Sequence, residues 1–291
     1  MELQADDSIP RCSEVSQAFG NFVLRNSHPT LPLLDHPHEA PTVFHPEDVV
    51  DVVRQQRQLP AAGLPTVCIL DFDGDLTDEL IQAQRVCPVP SWACFHTSMW
   101  ALEVDGQMCG IIPRTIGGPY AVLVAEQLLV SGVRAIVGLT SAGRIGSTLP
   151  VPGLVVVDRA IRDEGTSLHY LPPSDIVSAP KQMADALEKH CKSLALPVRR
   201  GLVWTTDAPY RETAEQTERY GAIGTLAVEM QAASLFAFAA ARGAVVGVVA
   251  HVTNDVTDEI DRDSETFDKG TNDSQIDLLK AVCRSALSVT E

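Results

Sequence analysis

"RTIGGPYAVLVAEQLLVSGVRAIVGLTSAGRI", Arg114 to Ile145, contains a turn, a helix, a strand and a polar loop in succession, and its reading decides the fold. Gly117, Gly118 and Pro119 make a tight turn directly before a helix, a geometry that presents backbone N–H groups to an anion or a hydroxyl. The helix "PYAVLVAEQLLVSG" is followed by a continuous apolar run, "AIVGLT", which ends in "TSAGR". An apolar run without polar alternation reads as a strand covered on both faces.

The same alternation extends in both directions. "TVCIL" and "GIIP" precede it, and "LVVVD", "RGLVWTT" and "AVVGVVAHV" follow, with helices over "APKQMADALEKHCKSL" and "VEMQAASLFAFAAARG". The pattern predicts an α/β fold, a single domain with a central mixed β-sheet flanked by helices. Residues 1–62 read as an N-terminal extension punctuated by Pro, His and Asp, with a helix over "HPEDVVDVVRQQRQL"; residues 63–291 read as the domain. In such sheets chemistry sits where strands end. Five strand ends carry polar or glycine-rich sequence: "DFDGD", "TIGGP", "TSAGR", "TTDAPYRE" and "HVTND".

Composition narrows the partners. A formal charge of -16 opposes binding to a nucleic-acid backbone or an anionic membrane surface, and leaves a small molecule as the expected ligand. No apolar run approaches the roughly 20 residues that span a bilayer. The opening "MELQADDSIPRCSE" is acidic and polar, unlike a signal peptide, so a cytoplasmic location is expected. Seven cysteines form no C-x-x-C pair and read as buried reduced thiols. No histidine spacing supports a metal site, and no cofactor is expected.

Two family patterns compete for the stretch "VCILDFDGDLTDEL", Val67 to Leu80. Alone, a strand closed by an Asp-x-Asp pair resembles the nucleophile loop of magnesium-dependent haloacid-dehalogenase-type phosphatases, with Asp71 and Asp73 as the pair. The surrounding chain resembles the nucleoside phosphorylase superfamily instead. "WALEVDGQMCG" is similar to the hairpin before that family's Gly-Gly-Pro turn, "VVVDRAIRDEGTSLHYLPP" to its strand and substrate-side loop, "WTTDAPYRE" to its base-flanking loop, and "AVEMQAASLFAFAAARG" to its Glu-Met-Glu helix. These similarities run in the family's order over most of residues 65 to 260.

The resemblance implies cleavage of the N-glycosidic bond of a nucleoside or related N-riboside, in a homo-oligomer built from dimers. It implies that Glu229, Met230 and Gln231 hold the sugar, with Gln231 replacing the family's second glutamate. Gly117, Gly118 and the Ser141 hydroxyl line the reacting end, Thr206 and Tyr210 lie in the base-flanking loop, and Asp255 assists the departing base, favouring a purine. His45 resembles a histidine that relatives donate across a dimer interface. The chain departs from the family at the phosphate: three phosphate-holding arginines fall at Leu76, Ala101 and Gly138, and the first loop is carboxylate-rich. Water is therefore slightly favoured over phosphate as nucleophile, with Asp73, Asp75 or Asp78 to orient and deprotonate it. A non-catalytic nucleoside-binding protein is the alternative from another class.

Overall fold

Every residue of β1 (Val67–Asp71) is buried, as a strand covered on both faces must be. The computed structural model describes residues 31–256 and 272–290, so the acidic opening segment and Cys12 lie outside the described residues. By compactness the chain divides into Met1–Asp35 and His36–Glu291. Of the first unit, the described part is a short 3-10 turn, Pro32–Asp35.

β1 lies parallel to β4 (Gln107–Pro113) on one side and to β5 (Ala135–Arg144) on the other. β4 forms a hairpin with β3 (Trp100–Val104), which pairs at its outer edge with the two-residue β2 (Cys87–Pro88). Beyond β5 the sheet closes on itself. β5 pairs in parallel with β10 (Val245–Asp255), β10 antiparallel with β6 (Gly153–Asp163), β6 in parallel with β8 (Val198–Thr206), and β8 in parallel with β9 (Ala227–Glu229). β9 returns to β5, antiparallel, through Gly143 and Arg144. A short β7 (Ile176–Ser178) pairs with β6. Closure brings the carboxyl ends of β1, β5, β8, β9 and β10 to one place.

Helices cover both faces. α3 (Gly118–Val130) and α7 (Ala232–Arg242) pack against Leu70, Ile136, Val155, Val203 and Val248. α5 (Lys181–Cys191) and α8 (Asn272–Ser288) pack against Ile69, Val137, Val156 and Val249 on the other face. α1 (Pro46–Gln56) turns Val50 and Val53 onto Ala93 beside Val130, inside the same unit as the sheet. α2 (Asp75–Gln82) follows β1, α4 (Ser167–Tyr170) is a single turn after β6, and α6 (Ala214–Ala222) follows β8. Small residues let α7 approach closely: Ala232, Ala233, Ala237 and Ala239 are buried along it.

The apolar runs form strands and the amphipathic segments helices, as predicted, in a mixed sheet. The segment "VEMQAASLF" differs from a continuous helix. Its first residues close β9, and α7 begins only at Ala232, because the Glu229 carboxylate accepts the N–H groups of Gln231 and Ala232 and so takes the place of an N-cap. Cys68, Cys94, Cys109, Cys191 and Cys283 are buried, whereas Cys87 is exposed. No helix among the described residues is long and apolar enough to cross a membrane.

Phe236, fully buried in α7, ties that helix into the core. Phe236→Ala is expected to cost about 3–5 kcal/mol, read as a lowered urea midpoint at unchanged slope. A loss under about 1 kcal/mol would show that α7 is held elsewhere.

Candidate active site

At the end of β1 the three aspartates take different tasks. Asp71 is buried and accepts from the Gly74 N–H at 3.2 Å, the Thr77 N–H at 2.9 Å and the Thr77 hydroxyl at 2.7 Å. It ties down the first turn of α2. Gly74 has φ +90, and a Cβ there would meet the side chain of Arg114, which pairs with Asp78. A phosphatase nucleophile has to face a substrate, and Asp71 faces its own loop. Asp75 is exposed at the start of α2.

Phe72 turns inward, and its ring lies over Gly138, where a Cβ would stand 2.6 Å from ring carbons. Any larger residue at position 138 has to displace that ring. Leu76 and Ala101, the other positions matched to phosphate arginines, are both buried, Leu76 among apolar residues. Asp73 turns the other way. Its carboxylate accepts the Ser141 N–H at 3.1 Å and the Ser141 hydroxyl at 3.2 Å, so an internal anion occupies donors at the end of β5.

Glu229 is buried at the junction of β9 and α7. It accepts from the Thr205 hydroxyl at 2.5 Å, the Gln231 N–H at 2.7 Å and the Ala232 N–H at 2.9 Å. Burial pushes its carboxyl up to about 7, against the pull of those three hydrogen bonds. Thr205 in turn accepts the Ala233 N–H at 3.0 Å. Gln231, also buried, accepts from the Thr140 hydroxyl and the Met230 N–H, both at 3.2 Å, which leaves its amide N–H₂ as the donor it can offer a ligand.

On the far wall, Arg144 closes β5 and Asp255 closes β10 in register with it. The guanidinium donates to one Asp255 oxygen from Nε at 2.8 Å and from Nη2 at 2.5 Å, and from Nη1 to the Leu149 carbonyl at 3.2 Å. A carboxylate gripped this way is fixed in orientation and serves as an acceptor.

Around these groups lies a cavity of about 370 Å³, lined by Asp73, Thr140, Ser141, Tyr210, Glu212, Glu229, Met230, Gln231, Asn254 and Asp255 among others. Its described lining holds four carboxylates and no lysine or arginine. A chamber of about 30 Å³ adjoins it, sharing Asp73, Thr140 and Ser141 and adding Asp71, His251 and Gln275. That is room for about one water. A larger groove of about 840 Å³, walled by Phe44, Phe95 and Leu123, contains none of the residues matched to the family's sugar site.

The structure thus gathers Asp73, Ser141, Tyr210, Glu229, Met230, Gln231 and Asp255 around one cavity. The remaining candidates stand apart from it. Gly117 and Gly118 answer to backbone and packing: Gly117 has φ +90, and a Cβ on Gly118 would stand 2.1 Å from the Ser234 hydroxyl, which donates to Glu164. Thr206 is buried and accepts the Ala208 N–H, bracing the loop. His45 is exposed at the head of α1, beside Thr42. Tyr210 stands at the cavity mouth with its side chain 99% exposed. Thr140 and Glu212 also line the cavity and were not singled out from the sequence; the latter follows Tyr210 in a loop already singled out, but nothing in its neighbours marked it as facing the cavity.

A family profile described as the phosphorylase superfamily matches residues 66–287. Uridine phosphorylase of Escherichia coli K12 is 25% identical over 236 residues, an alignment that covers 76% of this chain and 92% of that enzyme. A guanosine phosphorylase of Halorubrum lacusprofundi is 28% identical over 152 residues, covering 51% of this chain and 61% of the relative. A DeoD-type purine nucleoside phosphorylase of Myxococcus xanthus is 28% identical over 145 residues, 48% of this chain and 59% of its own. The profile takes in the sheet from β1 through β10, the first loop and the Glu229 segment, and the chain belongs to the nucleoside phosphorylase superfamily.

Proposed function

We propose that the protein cleaves the N-glycosidic bond of a nucleoside, with water as the nucleophile. The observation that carries the choice of water is the Asp73 carboxylate on the Ser141 N–H and hydroxyl, where an anion would otherwise find its donors. A phosphate dianion beside it would meet like charge, at a cost on the order of several kcal/mol at 4 Å in a partly buried site. The ring of Phe72 over Gly138 and the burial of Leu76 and Ala101 support the same reading.

The reaction follows from the walls. The sugar lies toward Met230 and Gln231, whose backbone Glu229 holds in place, and the base toward Tyr210, Asn254 and Asp255. As the C1′–N bond lengthens, its electron pair passes to the base and positive charge gathers at C1′, in a cavity whose lining is acidic. A water at Asp73 and Ser141 adds to C1′ and gives its proton to the Asp73 carboxylate. Phosphorolysis is the second reading, favoured by the phosphorylase names of the relatives.

Incubation with purine and pyrimidine nucleosides, with and without phosphate, separates the two by mass spectrometry. Free base and free ribose without phosphate are expected; ribose 1-phosphate formed only with phosphate would overturn the choice of water. Asp73→Asn should lower kcat by about 10²-fold or more while leaving KM little changed.

Glu229 makes a separate prediction. Its carboxyl titrates near 4.5 in the unfolded chain and about 7 in the fold, so its contribution to stability is fullest below 4.5 and is lost as pH rises toward 7. Glu229→Gln lacks that loss. The difference in Tm between wild type and variant should move in favour of the variant between those two values and level off above them. A pH-independent difference in thermal scans would contradict a protonated Glu229.

A further inference from the structure

Glu212 is a fourth carboxyl in the cavity wall to which the reaction above assigns no task. It follows the 3-10 turn Pro209–Arg211 and immediately precedes Thr213, the N-cap of α6. Thr213 and Gln216 form a reciprocal capping box, the Thr213 hydroxyl accepting the Gln216 N–H at 3.3 Å and the Gln216 amide oxygen accepting the Thr213 N–H at 3.2 Å. The backbone on the C-terminal side of Glu212 is therefore pinned to a helix. It lines the cavity with Tyr210, Asn254, Asp255 and Val256, and it lies two residues after Tyr210 in the loop that resembles the family's base-flanking loop.

Two carboxyls of this lining stand in opposite circumstances. Asp255 is gripped by Arg144 through two guanidinium N–H groups on one oxygen, which suits it to accept a hydrogen bond. The Glu212 carboxyl has no hydrogen bond or ion pair among the described residues, and the residue is half-buried. The other titratable side chains around the cavity are Asp73, Tyr210 and Glu229, with Arg144 behind Asp255 and Arg211 and Glu215 as chain neighbours. When environments separate two acids in this way, the unpaired and desolvated one is the proton donor.

We infer that Glu212 is the catalytic acid that protonates the departing base. This rests on the glycosidic reading. The Glu212 Oε–H proton passes to a ring nitrogen of the base as that base takes the electron pair of the broken C1′–N bond. Water supplies the oxygen to C1′, its proton goes to Asp73, and exchange with solvent restores both acids, so nucleoside and water give base and ribose. Burial pushes the Glu212 carboxyl up to about 7, which keeps it substantially protonated near neutrality.

The test compares two leaving groups just below neutral pH: guanosine, whose base leaves well only when protonated, and N7-methylguanosine, whose base is already cationic and departs without a proton. Base release is followed by chromatography for wild type, Glu212→Gln and Glu212→Asp. The Gln variant should lose about 10²-fold or more in kcat on guanosine, while N7-methylguanosine turnover stays within about threefold. The Asp variant should recover part of the guanosine activity. Glu229 titrates in the same range, so the leaving-group comparison, rather than the alkaline limb of a pH profile, carries the decision. Equal losses on both substrates, which a folding defect or a positioning role would give, overturn the inference, as does unchanged guanosine turnover. Wild-type protein that releases base from neither substrate overturns the glycosidic reading, and this inference with it.

Discussion

The aromatic ring of Phe72 on Gly138 is the contact from which the site takes its form. Gly138 pairs with Leu70 across β1 and β5 and with Val248 across β10, so it lies at the junction of three parallel strands. A ring placed there satisfies the core and fills the volume a side chain at 138 would need. Strand geometry then disposes of the neighbours: with Phe72 inward, Asp71 ends the strand against α2 and Asp73 emerges at the tip of β5. One packing choice thereby removes room for a cation and delivers an anion to Ser141. Aromatic burial of this size carries far more stabilisation than an exposed ion pair, so the electrostatics of the loop follow the packing.

Glu229 has a comparable role at the junction of β9 and α7. A buried carboxylate is costly unless hydrogen-bonded, and this one receives three donors, two of them from the first turn of α7. The helix gains a cap from the strand that precedes it, and Met230 and Gln231 are held between two rigid elements. The residue that most resembles a ligand contact is thus also the one that joins β9 to α7. Met230 and Gln231 line the cavity beside it, and the Gln231 amide oxygen is already engaged by Thr140 and Met230.

The sheet was legible in the sequence because its signal is coarse: apolar runs of five or six residues, bounded by glycine or polar loops, have few other solutions. α8 carries an equally regular apolar face, with Leu279, Val282, Cys283 and Ala286 buried, yet the sequence reading assigned it no element. Closure of the sheet through β9 was beyond reach, since three residues carry it and their pairing depends on β5 and β8 meeting far along the chain. At the site, the separation of Gly118 from the cavity depends on Ser234, and the pairing of Asp255 depends on Arg144; both are contacts across more than a hundred residues. Resemblance identified which loops converge. It did not indicate which side chains in them are already bound to one another.

That distinction governs how the acids divide the work. Asp71, Asp73, Asp255, Glu212 and Glu229 belong to one small region of an acidic chain, and like charges at such spacing do not all remain ionised and unpaired. Asp71 is absorbed by the amides and hydroxyl of α2, Asp255 by a guanidinium, and Asp73 by the donors of Ser141. Glu229 and Glu212 are instead pushed toward their neutral forms by burial, the first surrounded by donors and the second without them. A neutral carboxyl with no partner is a hydrogen-bond donor awaiting an acceptor, whereas a paired carboxylate is an acceptor already in position. On the proposed reading, the cavity therefore has an acceptor in Asp73 and both kinds of group in Asp255 and Glu212, the polarity that a bond broken between carbon and nitrogen requires.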